Sequence, residues 1–89
     1  MSKRIFTTEE AKGIGEKIGV DFTLCSIEEF RQGLDVEMEH GSHDPQTDVT
    51  HNDELLTGKI AWAHLKEYPD YYKRLKKMET EAEEYWSKA

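Results

Sequence analysis

Apolar residues recur three and four positions apart along most of the chain, which is the spacing of an amphipathic α-helix. The pattern predicts four helices, at about residues 8–18, 27–40, 53–67 and 70–87. No segment shows a sustained alternation of apolar and polar residues, which would indicate a β-strand. The sequence therefore predicts an all-α fold, a compact bundle of four helices with a long ordered polar loop between the second and the third.

Capping signals mark the beginnings of the first two helices. Thr7 precedes the first helix and Glu10 follows three positions later, which is the pattern of a capping box. Ser26 and Glu29 repeat this pattern before the second helix. Gly41 follows the last apolar position of the second helix, and we expect it to end that helix, since glycine is common just past a helix C-terminus.

The last two helices are defined by their apolar faces and by Pro69. Because a proline disfavours helical backbone in the residue before it, Pro69 should end the third helix. The buried face of the third helix is predicted to hold its larger apolar residues: Leu56, Ile60 and Ala63, with Leu55, Trp62 and Leu65 beside them. The fourth helix carries a regular stripe flanked by Tyr72 and Trp86: Tyr71, Leu75, Met78, Ala82 and Tyr85. These stripes predict that the helices pack into one body.

Histidines concentrate between Val36 and Glu54, where three of the four in the chain are found. Most of this segment is the connection from Gly41 to Asn52, and connections of that length are either functional or disordered. Two explanations are open. The side chains gather around a metal ion or a polar ligand, or they form a loop whose polar atoms mostly bond the loop's own backbone, which we favour.

The metal hypothesis rests on spacing. Glu37 and His40 lie three apart on the second helix, and His64 and Glu67 lie three apart on the third, so each pair shares a helix face. If these helices pack antiparallel, the two pairs meet at one end of the bundle. Imidazole and carboxylate groups suit a divalent transition metal. The candidate ligands are Glu37, His40, His43, Asp44, His64 and Glu67. Helix-end and turn chemistry explains the same residues without any cofactor.

Length and charge narrow the class of protein. Eighty-nine residues, of which 36% are apolar, fill one small core, so residues 1–89 are expected to form a single domain. The net charge of −7 disfavours binding to nucleic acids and to anionic membranes. No apolar run is long enough to span a bilayer. Cys25 is the only cysteine, which fits a reduced, cytoplasmic protein.

Several sequence phrases carry a resemblance to a known family. They include "EHGSHDP", "TGKIA" and "AHLKEYPDYY", and the likeness runs from about Phe6 to Ala82. The chain resembles a family of small bacterial and viral proteins built on a domain of unknown function. The resemblance implies a compact helical domain, and it implies no activity, substrate or cofactor.

No phosphate-binding glycine loop or arrangement of nucleophile and base stands out, so we do not expect an enzyme. The sequence favours a small non-catalytic binding or accessory protein that acts through contacts with a protein partner or with further copies of itself. Aromatic side chains dominate the energetics of such interfaces, and the candidates are Tyr72, Trp86 and Trp62. A metal-binding protein is the alternative.

Overall fold

A computed structural model of the chain contains four α-helices: α1 (Thr8–Ile18), α2 (Ile27–His43), α3 (Glu54–Glu67) and α4 (Tyr71–Lys88). The structure describes residues 5–43, 45–48, 50–51 and 53–88, without the side chains of residues 40–43 and 88. These residues contain no strand, so the predicted all-α class is confirmed. No helix in the described part of the chain has both the length and the apolar character needed to cross a bilayer.

The predicted start of α1 is confirmed in detail. Thr7 Oγ1 accepts a hydrogen bond from Glu10 N–H at 3.1 Å, and Glu10 Oε1 accepts one from Thr7 N–H at 2.9 Å. The helix ends at Gly19, whose φ of 82° lies in the left-handed region that glycine adopts without steric cost. Both ends of α1 are therefore set by local chemistry.

Helix α2 begins as expected and ends later than expected. Ser26 Oγ accepts from Glu29 N–H at 3.0 Å. The carboxylate of Glu29, expected to complete a capping box, accepts a hydrogen bond from Lys73 N–H in the first turn of α4 at 2.9 Å. The helix continues through Gly41 to His43, so the prediction that Gly41 ends it is wrong. Glycine permits a right-handed helical turn as readily as a left-handed stop.

The connection between α2 and α3 is therefore shorter than the predicted loop, because α2 extends to His43 and α3 begins at Glu54. Its described residues bond each other: Asp48 Oδ1 accepts from His51 N–H at 2.8 Å, and Asp53 N–H donates to the Thr50 carbonyl at 2.8 Å. Residues 44, 49 and 52 lie outside the described residues. Order along the whole loop stays a prediction.

Helix α2 lies at the centre of the protein and packs against each of the other three helices, while α3 also packs against α1 and α4. The apolar residues Phe30, Leu34 and Met38 of α2 are buried, and the first two are both 0% exposed. The rest of the core comes from every helix and from the residues before α1 and α2: Phe6, Ala11, Ile14, Cys25, Met38, Ala61, Leu65 and Tyr72. Burial of these side chains drives the packing.

Most of the predicted buried face of α3 is wrong, although Leu65 is 0% exposed as expected. Its buried residues are Thr57, Gly58, Ala61 and Leu65, while Leu55 and Leu56 are 41% and 42% exposed. Small residues allow close approach here, since a Cβ at Gly58 would lie 2.8 Å from Ile14 Cγ2. The spacing of the neighbouring helices, rather than side-chain size, decides which face of α3 is inside.

An ion-paired clamp fastens the residues before α1 to α2. Phe6 N–H donates to Asp35 Oδ1 at 2.7 Å, and Arg31 Nη1 donates to the Phe6 carbonyl at 3.1 Å. Arg31 Nη1 also pairs with Asp35 Oδ2 at 2.9 Å. The clamp positions the Phe6 ring, which is 1% exposed, over the core. Burial raises the pKa of Asp35 despite the favourable contacts to Phe6 N–H and Arg31.

Candidate functional site

Three polar side chains from three different helices meet between α2, α3 and α4. Tyr72 Oη donates a hydrogen bond to Glu37 Oε2 at 2.7 Å. His64 Nδ1 lies 3.0 Å from Tyr72 Oη and 3.1 Å from Glu37 Oε2. We call these three residues, Glu37, His64 and Tyr72, the Glu37 cluster. It links α2, α3 and α4 through side chains alone.

The backbone and the aromatic neighbours position the cluster. A Cβ at Gly33 would lie 2.5 Å from the Tyr72 ring, so the absence of a side chain at this position lets the ring approach α2 closely. The Tyr71 ring stacks on the His64 imidazole with centroids 4.5 Å apart and an interplanar angle of 4°. The tyrosine pair at the start of α4 thus fixes the imidazole from two sides.

The contacts also fix the position of the Tyr72 hydroxyl hydrogen. Burial and then the hydrogen bond to Glu37 raise the pKa of Tyr72, so the phenol keeps its proton. The Tyr72 hydroxyl uses this hydrogen in its hydrogen bond to Glu37, which accepts it. The Nδ1–H tautomer of His64 can donate to these two oxygens.

The structure brings together two of the six candidate metal ligands, Glu37 and His64. Glu67 is exposed at the end of α3. Asp44 and the side chains of His40 and His43 lie outside the described residues. Within the described part of the chain, no three histidine, cysteine, aspartate or glutamate side chains are grouped as metal ligands.

Phe30 lies beside Gly58, and Glu37 lies beside His64, so contacts advance in the same sense along α2 and α3. The metal hypothesis assumed an antiparallel pair. Tyr72 was absent from the predicted site because the spacing placed it on the flank of the α4 stripe. One signal was available: a buried tyrosine needs a partner for its hydroxyl, and Glu37 is such an acceptor.

A second candidate site lies along α4. Its regular apolar residues, Tyr71, Leu75, Met78, Ala82 and Tyr85, form what we call the α4 stripe. Tyr71 and Leu75 are half-buried against the core, whereas Met78 is 59% and Tyr85 66% exposed. All residues from 76 to 87 are exposed. The stripe thus runs from the packed body onto a part of the helix that no described residue covers.

A groove opens beside the first half of the stripe. Its volume is about 290 Å³, and it is lined by Tyr68, Tyr71, Arg74, Leu75 and Met78. Arg74 Nε donates to Asp70 Oδ1 at 3.0 Å, and the Arg74 guanidinium lies 4.3 Å from the centroid of the Tyr68 ring. The groove is therefore apolar with one cationic edge.

Charge divides α4 into two halves. The first half is basic and the second is acidic: Lys73, Arg74, Lys76 and Lys77 are followed by Glu79, Glu81, Glu83 and Glu84. This order is the reverse of what stabilises a single helix, because the positive end of the helix dipole is its N-terminus. Pairs three and four positions apart, such as Lys77 and Glu81, offset part of this cost within the helix.

The aromatic residues expected to face a partner differ in their surroundings. Tyr72 is 2% exposed, so its prediction as an exposed anchor is wrong. Trp62 is partly buried against the core. Trp86 is 72% exposed and packs edge to face on Tyr85, with centroids 5.1 Å apart. The end of α4 thus presents an aromatic pair.

Comparison with known proteins gives one result. The model of a family described as "Protein of unknown function (DUF5661)" matches residues 11–81, which include α2, α3, most of α1 and the first half of α4. Comparisons with curated proteins and with solved structures gave no match.

Proposed function

The chain belongs to this family, whose function is unknown, and we propose from the chain's own geometry that it is a non-catalytic binding protein. It acts through protein contacts made by the α4 stripe. The body formed by α1, α2, α3 and the first turns of α4 holds the stripe in place. The second half of α4 carries it outward to a partner.

One observation carries this proposal: an apolar stripe continues along a helix whose residues 76–87 are all exposed. Single exposed apolar side chains are common on protein surfaces. A continuous row that includes Met78, Tyr85 and the adjoining Trp86 is not, and such rows mark sites of interaction. Tyrosine and tryptophan supply large contact area with few rotatable bonds, which suits them to an interface.

The Glu37 cluster supports a structural rather than a catalytic role for the polar centre. Its phenol, carboxylate and imidazole Nδ1 bond each other, so these groups are occupied before any substrate arrives. Glu37 is also largely buried, with 11% of its side chain exposed. A set of polar groups satisfied in this way rigidifies the packing of three helices.

The charge of the chain favours a protein partner over nucleic acid or anionic lipid. With a net charge of −7, the chain repels phosphate backbones and anionic lipid surfaces. We place the protein in the cytoplasm, because its only cysteine, Cys25, is a free buried thiol.

Photo-cross-linking in cells tests the proposal. A photoreactive amino acid is placed at position 85 on the stripe or, as a matched control, at position 87, which is equally distal and exposed but faces away from it. We expect position 85 to give discrete protein adducts that Met78→Glu removes, and position 87 to give none. Equal labelling at both positions contradicts a stripe-directed contact.

A metal-binding role is the second candidate, because Glu37 and His64, two of its candidate ligands, meet from two helices. It requires further ligands among His40, His43 and Asp44. It predicts that added Zn²⁺ raises the melting temperature of the chelator-treated protein and that His64→Gln removes the increase. An unchanged melting temperature excludes this second role and leaves the binding proposal as it stands.

A further inference from the structure

We infer that the α4 stripe binds a second copy of this chain, with the two α4 helices side by side and antiparallel. This inference rests on the proposed function, since it names the partner of the same stripe. Three features of α4 support it: the spacing of the stripe, the order of the charges and the match between the two halves of the helix.

The spacing is that of a two-helix seam. Positions 71, 75, 78, 82 and 85 are separated by four, three, four and three residues, which is the heptad repeat of a coiled coil. This spacing allows such a pair, and the exposure of residues 76–87 leaves the second half of the stripe available for it. The flanking positions that set partner choice in a coiled coil include Arg74 and Glu81.

The charges select a direction. The two basic pairs of α4 precede its four glutamates, so an antiparallel neighbour lays its acidic half on the basic half of the first copy. A parallel neighbour would place lysine and arginine against lysine and arginine. Electrostatic complementarity of this kind fixes the orientation and register of a pair.

One register fits the side chains best. It places Leu75 against Met78 of the second copy and Tyr71 against the second copy's Ala82, so that a large ring meets a small residue. It also places Arg74 opposite the second copy's Glu81, twice by symmetry. Shifting the seam so that its centre falls near residue 80 would bring Glu81 against Glu81, which like-charge repulsion disfavours.

The groove holds the last contact of the interface between the two α4 helices. In the same register, Tyr85 of the second copy lies over Tyr68, which is 46% exposed and lines the groove. Arg74 has donors to spare for the second copy, because a guanidinium carries five N–H groups and Asp70 accepts from Nε. The described contacts of the single chain are therefore compatible with the pair.

Sedimentation velocity over a wide range of concentrations tests the pairing. The natural chain should dimerise as concentration rises. Arg74→Glu and Glu81→Arg should each weaken the dimer about tenfold, and the double variant should recover most of that loss. Lys77→Glu, which makes the same charge change on the outer face, should have a much smaller effect. A chain that stays monomeric, or a charge swap that recovers nothing, overturns the inference.

Spin labels at Ser87 test the direction in a Cys25→Ala background, with folding checked by circular dichroism. In the antiparallel register about 21 helical rises separate the two labelled positions, or about 31 Å along the axis. A distance near that value supports the pairing, and one below about 20 Å, as parallel helices would give, overturns it.

These results separate the inference from the proposed function. If position 85 forms adducts with another protein while the chain stays monomeric, the partner is not a second copy, and the proposed binding function is supported. If position 85 forms no adduct and the chain stays monomeric, both the pairing of two copies and the proposed binding function are contradicted.

Discussion

Helix α2 and the second half of α4 carry the same pattern of apolar residues and have opposite surroundings. In α2 the pattern is buried, and Phe30 and Leu34 are both 0% exposed. In α4 it ends in Met78 and Tyr85, which are 59% and 66% exposed. Periodicity identifies the apolar face of a helix, but it does not say whether that face is covered by the same chain or by another.

The two regions differ because of where each helix is attached. Helix α2 is central and has neighbours on several sides. Among the described residues, the hydrogen bonds that tie helix α4 to α2 lie near its beginning, where Lys73 N–H donates to Glu29 and Tyr72 donates to Glu37. From residue 76 to residue 87 every side chain of the helix is exposed. We expect the two regions to differ in energy as well.

The largest difference is expected between Phe30→Ala and Met78→Ala. Truncating the fully buried Phe30 removes apolar contacts and leaves a cavity, and it should lower the free energy of unfolding by about 3–5 kcal/mol. Met78→Ala should change the stability of the monomer by less than about 0.5 kcal/mol. Urea unfolding at low protein concentration measures both. Similar losses would show that the second half of α4 is part of the core.

Glycine substitutions give the next largest contrast. Gly33→Ala places a methyl group 2.5 Å from the Tyr72 ring and should cost about 1–3 kcal/mol of unfolding free energy. Gly13→Ala meets nothing within 4 Å and should stabilise α1 by about 0.5–1 kcal/mol. Thermal unfolding of the two variants measures these opposite signs. A stable Gly33→Ala variant would contradict the position of Tyr72 against α2.

Removing a single hydroxyl group should give a smaller difference in unfolding free energy between the body and the α4 stripe. Tyr72→Phe deletes the donor to the buried Glu37 carboxylate and should cost about 1–3 kcal/mol of unfolding free energy. Tyr85→Phe deletes an exposed hydroxyl and should leave the stability of the monomer unchanged. Both are measured by urea unfolding. Equal stability of the two variants would show that the Glu37 cluster does not hold α4.

The smallest effect is expected at an exposed ion pair of α2. The Arg31 guanidinium lowers the pKa of Glu28 to about 2. The stabilisation from this pair is present above the unfolded pKa of 4.5 and is lost as pH falls toward 2. Because Glu28 is exposed, we expect less than about 0.5 kcal/mol. The stability difference between Glu28→Gln and the natural chain, measured by urea unfolding, should shrink over that pH range; a constant difference would contradict it.

The sequence predicted the features of the fold that depend on local chemistry. The cap at Thr7 and the cap at Ser26 both follow from residues close in the chain. The buried face of α3 does not. It is set by how closely α1 and α2 approach Gly58, a distance that depends on three helices at once.

The candidate site was predictable to a similar extent. Helical spacing identified Glu37 and His64 as residues of interest, and the structure places them 3.1 Å apart. Tyr72 was missed, because its burial depends on Gly33 of another helix. The α4 stripe was recognised as apolar, but that it extends beyond the body depends on where α4 is attached.

Hydrogen exchange measured by mass spectrometry at two protein concentrations tests the central claim most directly. We expect amides in residues 79–88 to exchange much faster than those of α2 and α3 when the chain is dilute. At high concentration, protection should rise in residues 79–88 and along the groove, with little change elsewhere. Equal and concentration-independent protection of the second half of α4 and of α2 would contradict an uncovered stripe that a second copy binds.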